Sequence, residues 1–517
     1  MLPGGLIGRK CVDRGRRNGV LDLHFEVFEC SLRHSFAVDD ESASPIRVSI
    51  SGSSVVSFNR SAVFALVGAL GLTSHVGASR AESLSEALAL AYSNNPQLNA
   101  ARAQTRATDE GVGIAQGAAR PRINGSASIG RNYTAYGYQN YQNGGANVDF
   151  YNSASNFGIQ LVQPIYTGGQ ITAGIDQAQA AVRAQREVLR SAEQQVLLSA
   201  ATAYMDVIRD TALVSLQESN VKFLTEQVRA AKDRFNVGEG TQTDVAQAEA
   251  SYQLAVSQLN ASRAQLNASR AVYRQVIGKE PGKLGAAAGA DGLLPKTVEA
   301  AVRAAQGESP QIMAGVHNVD VAQHNVKYLE GALLPQVSAQ GSASRAFDNP
   351  TYKTANNAAV SLNVTVPIYQ GGTEYAKIRQ AKEQLGAARL QVDLARDTVR
   401  ASVVSAWGML QAANASIAAY KAQVEAAQLA LNGVIEEQRV GQRTTLDVLN
   451  QQTMLISARS NLVNAERSRV VGSFQLAAAV GRLDVEHMKV RVSIQDPAEH
   501  AEAVRDKWIG LRTPDGQ

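Results

Sequence analysis

The chain has 517 residues, 50 Lys+Arg against 46 Asp+Glu for a formal net charge of +4, and is 45% hydrophobic, 5% aromatic and 19% charged. These totals exclude a disordered or collagen-like polypeptide, and the even charge balance excludes a dedicated nucleic-acid binder, so no nucleic-acid partner is expected. The two cysteines, Cys11 and Cys30, have neither redox nor zinc spacing. No run of 18 apolar residues is present, which excludes a spanning helix but not membrane strands.

In chain order, the first feature is an apolar run, Ala62–Leu72, preceded by Arg60 and followed by small residues up to Ala81. This is the pattern of a secretory signal peptide, with cleavage expected after Ala81. A buried core helix is the alternative, weakened by the composition break beside the run. Residues 1–55 resemble no part of such a signal, and the translated start is expected near Val55 or Val56, making residues 1–81 an upstream extension plus signal. The mature chain would contain no cysteine and therefore no lipid attachment point.

The rest is a duplication. Asn95-Pro96-Gln97-Leu98 matches Ser309-Pro310-Gln311-Ile312, and Arg120-Pro121 matches Leu334-Pro335, both at an offset of 214. The offset then becomes 203: Pro164-Ile165-Tyr166-Thr167-Gly168-Gly169 matches Pro367-Ile368-Tyr369-Gln370-Gly371-Gly372, and Val237-Gly238 matches Val440-Gly441. The repeats are expected over 82–278 and 299–481, with a linker at 279–298 and a periplasmic C-terminal tail at 482–517. Internal periodicity of this kind takes precedence over any single motif.

Each half begins with a helix, over roughly 97–119 and 311–333. After Pro121, Ile123, Gly125, Ala127 and Ile129 alternate with polar residues, and Val337, Ala339, Gly341 and Ala343 do the same in the second half. This period of two predicts strands at about 121–131 and 156–166, then 335–345 and 359–369. It also suits tilted strands with one face in lipid and one in water. The connecting segments, Arg131–Ser155 with Tyr133, Tyr136, Tyr138, Tyr141 and Tyr151, and about Ala346–Asn357, read as polar loops. An interfacial tyrosine belt is an equal alternative.

Beyond each Gly-Gly pair the period becomes seven. Val182, Leu189, Val196 and Ala203 are followed, after a four-residue stutter, by Val207, Val214, Val221, Val228 and Phe235. Leu385, Val392, Val399 and Ala406, then Leu410, Ile417, Val424 and Leu431, repeat register and stutter. Long coiled-coil helices are predicted over 170–236 and 372–438, about 100 Å each at about 1.5 Å per residue. Shorter helices over 244–278 and 447–481 follow the turns, and with the helices before the strands they would stack end to end into columns of similar length.

Four membrane strands cannot stand alone, because open edges leave backbone groups unpaired in lipid. Three identical chains would close a twelve-stranded barrel, with twelve helical columns below it. At about 10 Å between helices the ring would be about 38 Å across, enclosing a lumen of roughly 25–30 Å.

Duplicated Pro-Ile-Tyr-x-Gly-Gly strand ends, Val-Gly-x-x-Thr turns followed by Asp-Val, and two half-length repeats together resemble the TolC family of outer-membrane efflux channels over essentially all of residues 82–485. The absence of an acceptor Cys resembles the non-lipoprotein branch. The resemblance implies a mainly α fold with transmembrane β, a duplicated TolC-like homotrimer whose twelve-stranded β-barrel continues into a twelve-column α-helical barrel in the periplasm. It implies outer-membrane lipid, a periplasmic adaptor (membrane fusion) protein and an inner-membrane transporter of RND or ABC type as partners, in efflux or type I secretion. Such a duct needs no catalytic residue, cofactor or metal. The alternative from another class is a periplasmic coiled-coil scaffold without a pore, which leaves the duplicated alternating segments unexplained.

Carried across from the family, the periplasmic gate would use Thr243, Asp244, Gln438 and Arg443, with Arg443 pairing to Thr243 and Asp244 to Gln438. Asp447 would form an acidic ring at the entrance, with Asn450 where some members carry a second aspartate. Capping of the helices that follow Thr241 and Thr444 is the plainer role for Asp244 and Asp447, and the two roles are compatible. The turns built on Val237, Gly238 and Thr241, and on Val440, Gly441 and Thr444, would dock the adaptor. Tight helix reversal by itself also explains both glycines. Gly111–Gly117 departs by one residue from a dinucleotide loop and follows no strand. His317 and His324 are seven apart on a helix, too far for one metal without other ligands, and read as surface positions. The tail, with Trp508, is expected to pack around the outer waist of the tube.

Overall fold

Residues 81–136, 148–347 and 353–514 are described by a computed structural model. The proposed signal segment, Cys11, Cys30, Tyr138 and Tyr141 lie outside them, as does the side chain of Tyr136. No described helix is long and apolar enough to cross a membrane.

The two halves have the same element order. The first contains α1 (Leu84–Asn94), α2 (Pro96–Gly117), β1 (Arg122–Tyr136), β2 (Val148–Thr167), α3 (Gln170–Asn236) and α4 (Gln242–Ile277). The second contains α5 (Val298–Glu308), α6 (Pro310–Gly331), β3 (Gln336–Phe347), β4 (Thr354–Thr365), α7 (Thr373–Arg439) and α8 (Thr445–Val480). A last helix, α9 (Pro497–Arg505), lies in the tail. Both α3 and α7 have 67 residues, and both start after a Gly-Gly pair whose second glycine has a left-handed backbone.

Short helices α1 and α5 precede the prolines. Ser83 and Glu86 form a capping box at α1, and the Thr297 side chain accepts from the Ala300 amide at α5. Pro96 and Pro310 then restart the chain at the first position of α2 and α6, where a missing N–H costs nothing.

End-to-end stacking is visible in the contacts. The Asn95 side-chain amide at the head of α2 donates to the Val276 carbonyl at the foot of α4, 2.9 Å away. In the second half Gly481, φ 97°, ends α8 against the α5–α6 junction. A Cβ there would come within 2.5 Å of the Glu308 carbonyl oxygen. Only glycine meets both the backbone and the space requirement. Arg482 then clamps Glu308 through two hydrogen bonds, 2.6 and 2.8 Å, which holds that carboxyl below its ordinary range.

The helices pack side by side: α3 against α2, α4, α6 and α8, and α7 against α6, α8 and α5. The largest core cluster gathers Leu88, Leu197, Tyr204, Tyr273 and Phe474 where the two halves meet. A second joins Ile312, Val403 and Leu476. Toward the turns the core thins to Leu224, Ala248 and Leu449 and to Leu431, Val448 and Leu455. Small residues at the seams allow the close helix approach that heptad packing requires. Polar ties cross the same seams: Gln452 donates to Asn220 at 2.9 Å, Arg467 to Asp206 at 2.9 Å, and Ser269 to Asp210.

The strands form one antiparallel sheet in the order β1-β2-β3-β4. Three boundaries differ from the sequence reading. Strand extends into both segments read as loops, because β1 and β2 stay paired as far as Tyr136↔Val148 and β3 and β4 as far as Phe347↔Thr354. Aromatic pairing extends the first hairpin, with the Tyr133 and Tyr151 rings 5.0 Å apart. Conversely, β4 stops at Thr365, so the second Pro-Ile-Tyr lies beyond its strand while the first lies inside β2. Pro164 is tolerated in an inner strand because the register shifts between it and Tyr166. Among the described residues β4 is an edge with no following strand.

Candidate functional site

Two features of the chain are candidates for function: the helix-reversal turns and the sheet. The turns are built alike. Val237 and Val440 cap α3 and α7; Gly238 and Gly441 follow with φ 83° and 79°. The amides of Glu239 and Gln442 reach back to the Arg234 and Glu437 carbonyls, both at 2.9 Å. This is the glycine-terminated close of a helix, in which the orphan carbonyls are satisfied by the reversing chain. It leaves Val237 and Val440 each 71% exposed at the tips, and no atom lies within 4 Å of a Cβ placed on either glycine.

The returning helices start on matched capping boxes. Thr241 donates its hydroxyl to Asp244 Oδ2 at 2.6 Å and its amide at 3.1 Å, and the Asp244 amide donates back to the hydroxyl. Thr444 and Asp447 repeat the arrangement at 2.8, 2.9 and 3.2 Å. The Thr241 hydroxyl, then its amide, holds the Asp244 carboxyl below the usual carboxylate range. The Thr444 amide, then its hydroxyl, does the same to Asp447.

The gate bonds expected from the sequence are not formed within one chain. Arg443 donates to Glu437 at 2.8 Å rather than to Thr243, and Gln438 donates to Thr445 at 3.2 Å rather than to Asp244. Each group is held by its own hairpin, because the nearest partners across a tight reversal are six or seven residues away along the same chain. Thr243 is exposed. Gln438 and Thr445 are both buried between α7 and α8. No periodic signal marks such a pair, and sequence reasoning did not find Thr445 or Glu437.

The sheet separates two chemistries. Register places Ile123, Leu161, Gly341 and Val360 in one row and Gly125, Ile159, Ala343 and Ala358 in the next, all on one face. The opposite face carries the rows Asn124, Gln160, Ser342, Ala359 and Ser126, Gly158, Ser344, Asn357. Ile129 is 86% and Val360 91% exposed, so the apolar face is uncovered in the chain. From Ile123 to Tyr133 the strand rises about 33 Å, or about 25 Å once tilted by about 40°, the height of a lipid-facing band. Tyr133 and Tyr151 stand at its far end, with the Arg131 guanidinium over the Tyr151 ring at 5.2 Å.

A profile described as "Outer membrane efflux protein" matches residues 87–279 and 301–482, both halves of the duplication. The chain belongs to the outer membrane efflux protein family. It is 45% identical over 442 residues to the outer membrane efflux protein BepC of Brucella suis biovar 1 (strain 1330), covering 85% of this chain and 94% of that protein. It is 27% identical over 436 residues to the outer membrane protein TolC of Escherichia coli (strain K12), covering 81% and 86%. The fold is that of the Campylobacter jejuni CmeC outer membrane channel, with a TM-score of 0.69 at 16% identity, covering 82% of this chain and 89% of that one. This efflux protein is therefore an outer-membrane channel with the duplicated TolC-like architecture. Family members are channels rather than enzymes, and among the described residues no group of acidic, His or Cys side chains has metal-binding geometry. His317 and His324 lie beside Asp320 and Asp176 instead, at 3.5 and 3.8 Å.

Proposed function

We propose that three copies of the chain close their sheets into a twelve-stranded barrel in the outer membrane and continue it as a twelve-column helical tube in the periplasm. The observation that carries this is a four-stranded sheet with two open edges, β1 and β4, and one face that is mainly apolar, with Arg345 and Asn356 on its row toward the hairpin tips. Unpaired edges are untenable in lipid, and β4 of one copy pairing with β1 of the next removes them all. The helical part supports the same closure. Leu390, Leu394, Val404, Met409 and Leu429 of α7 are 50–74% exposed although they continue a heptad helix, as expected of a seam filled by a neighbouring copy.

In this reading the polar face of the sheet lines the lumen, which passes cargo without chemistry. The turn tips Val237-Gly238 and Val440-Gly441, with Thr241 and Thr444, dock a periplasmic adaptor, and an inner-membrane transporter of RND or ABC type supplies the cargo. Asp447 forms the acidic ring at the entrance. Thr243, Asp244, Gln438 and Arg443 gate it through contacts between hairpins. The capping boxes already orient both aspartates at the turn, and Arg443 needs only to exchange Glu437 for a partner on the next hairpin. A periplasmic scaffold without a pore is disfavoured by the apolar sheet face, which a soluble protein would not leave uncovered.

The deciding experiment is purification from outer membranes followed by native mass measurement and recording in planar lipid bilayers. A trimer with stepwise conductance is expected. A detergent-solubilised monomer without conductance overturns the reading. Gene deletion, with drug sensitivity and protein secretion scored in parallel, identifies the cargo class.

A further inference from the structure

The C-terminal tail runs from the middle of the helical part up to the membrane boundary. α9 lies on α2, where His500 Nδ1 meets the buried Asp109 carboxylate at 3.2 Å. Farther along, just beyond the end of α2, Arg120 donates to the Lys507 carbonyl at 3.0 Å. Its guanidinium also covers the Trp508 ring, 4.7 Å from the centroid. These contacts set α9 parallel to α2 and bring Trp508 beside Arg120, two residues before β1 begins. The backbone then turns at Gly510, φ 134°, and Pro514 returns to the cavity that Arg102 and Asp109 line. Trp508–Leu511 is the tip of the tail.

This tip has the composition of a membrane interface. Trp508, Ile509 and Leu511 are 65%, 91% and 103% exposed, and Lys507 and Arg512 flank them, with the Lys507 ammonium on the Arg512 carbonyl. In water, three exposed apolar side chains in an ordered turn gain nothing. At a lipid surface the indole sits at head-group level, the aliphatic chains enter the acyl boundary, and the cations reach phosphate. The sheet supplies the matching level. Its far end has Tyr133 and Tyr151, and its near end has Tyr166, 47% exposed and paired with Val337 on the lipid face.

We propose that Trp508–Leu511 inserts into the head-group region of the periplasmic leaflet of the outer membrane, with phospholipid as its ligand, completing the lower aromatic girdle and setting the depth of the barrel. The inference rests on the reading of the sheet as a lipid-exposed barrel. Arg120 is its positioning residue, because it fixes Trp508 at the height of the strand ends.

The chain has two tryptophans, and the other, Trp407, packs against the helical core near Val403. Full-length protein carrying Trp407→Phe is reconstituted into phospholipid vesicles with bromine on the acyl chains near the head group. Trp508 emission is expected to fall about two-fold relative to unbrominated vesicles, as for an indole at the interface. Arg120→Ala is expected to diminish that quenching while conductance persists. If Trp407→Phe does not assemble, the difference between the wild type and Trp508→Phe isolates the same signal. Unquenched Trp508 in vesicles that conduct overturns the tail proposal alone. Unquenched Trp508 that is also shielded from iodide places protein over the tip and overturns it equally. Vesicles without conductance overturn the barrel reading, and the tail proposal with it.

Discussion

Asp244 and Asp447 show how one side chain serves local structure at a helix start. Each accepts two hydrogen bonds from the threonine three residues earlier, and each carboxyl is thereby held below its ordinary range. Because the folded value is depressed, the capping contribution is complete above the unfolded value of about 3.9 and is lost as pH falls through the folded value. Hydrogen exchange at the first turns of α4 and α8, corrected for intrinsic rates, should show constant protection from neutral pH to about 4 and decline only below that. Thr444→Ala should remove the α8 first-turn protection at neutral pH while leaving α4 unchanged. At the turns, Gly441→Trp meets open space but a left-handed backbone, so its fold cost should be confined to about 1 kcal/mol of backbone strain. Export should nevertheless be abolished while trimers still form, in a drug-resistance assay paired with an unheated gel. Normal resistance would remove the docking role of the turn. The aspartates and the Val-Gly tips were legible because the duplication presents each twice. The Gln438–Thr445 and Arg443–Glu437 contacts were not, since they depend on how a reversing chain happens to face itself.

At the scale of elements, the seven-residue spacing marks α3 and α7, and the period of two marks the sheet. Their ends were harder to see. Helices α1 and α5 went unread because apolar periodicity in 11 residues is too short to stand out, although Ser83 with Glu86 and the Asn95-Pro96 and Ser309-Pro310 steps are start signals. The strand hairpins run past the point where apolar alternation fades, because ladder hydrogen bonds continue wherever both chains stay extended. Joining the elements falls to a few buried polar contacts. The Tyr204 hydroxyl lies 2.8 Å from both the Glu82 and Gly285 carbonyls, tying α3 to the start of the first repeat and to the linker. Tyr204→Phe should cost about 1 kcal/mol, the net worth of one hydrogen bond, because the Glu82 carbonyl keeps the Gly285 amide as a donor. Thermal unfolding of the purified channel should shift accordingly, with conductance unchanged.

For the whole molecule, the uncovered surfaces decide the assembly. In the proposed trimer, lipid and neighbouring copies would cover the mainly apolar sheet face, the two open strand edges and the exposed apolar side chains of α7. Leu394→Glu places a charge among these side chains, where it is 66% exposed in the single chain and would face a neighbour at every interface of a closed ring. The variant should shift the population from trimer toward monomer on native mass measurement, with secondary structure retained by circular dichroism. An unchanged trimer would place the seam elsewhere. The tail adds a level marker to this assembly, tied to α2 at Asp109 and to the strand boundary at Arg120.

By itself the sequence determined the duplication, the helical and strand periods and the turn chemistry, because each is a local property repeated at a constant offset and readable from neighbours along the chain. Tertiary structure alone decided how the rows of the four strands line up on each face of the sheet, how the columns abut at Gly481 and Asn95, and where Trp508 is placed. Those outcomes depend on strand register and on contacts between residues hundreds of positions apart, which no periodicity along the chain encodes.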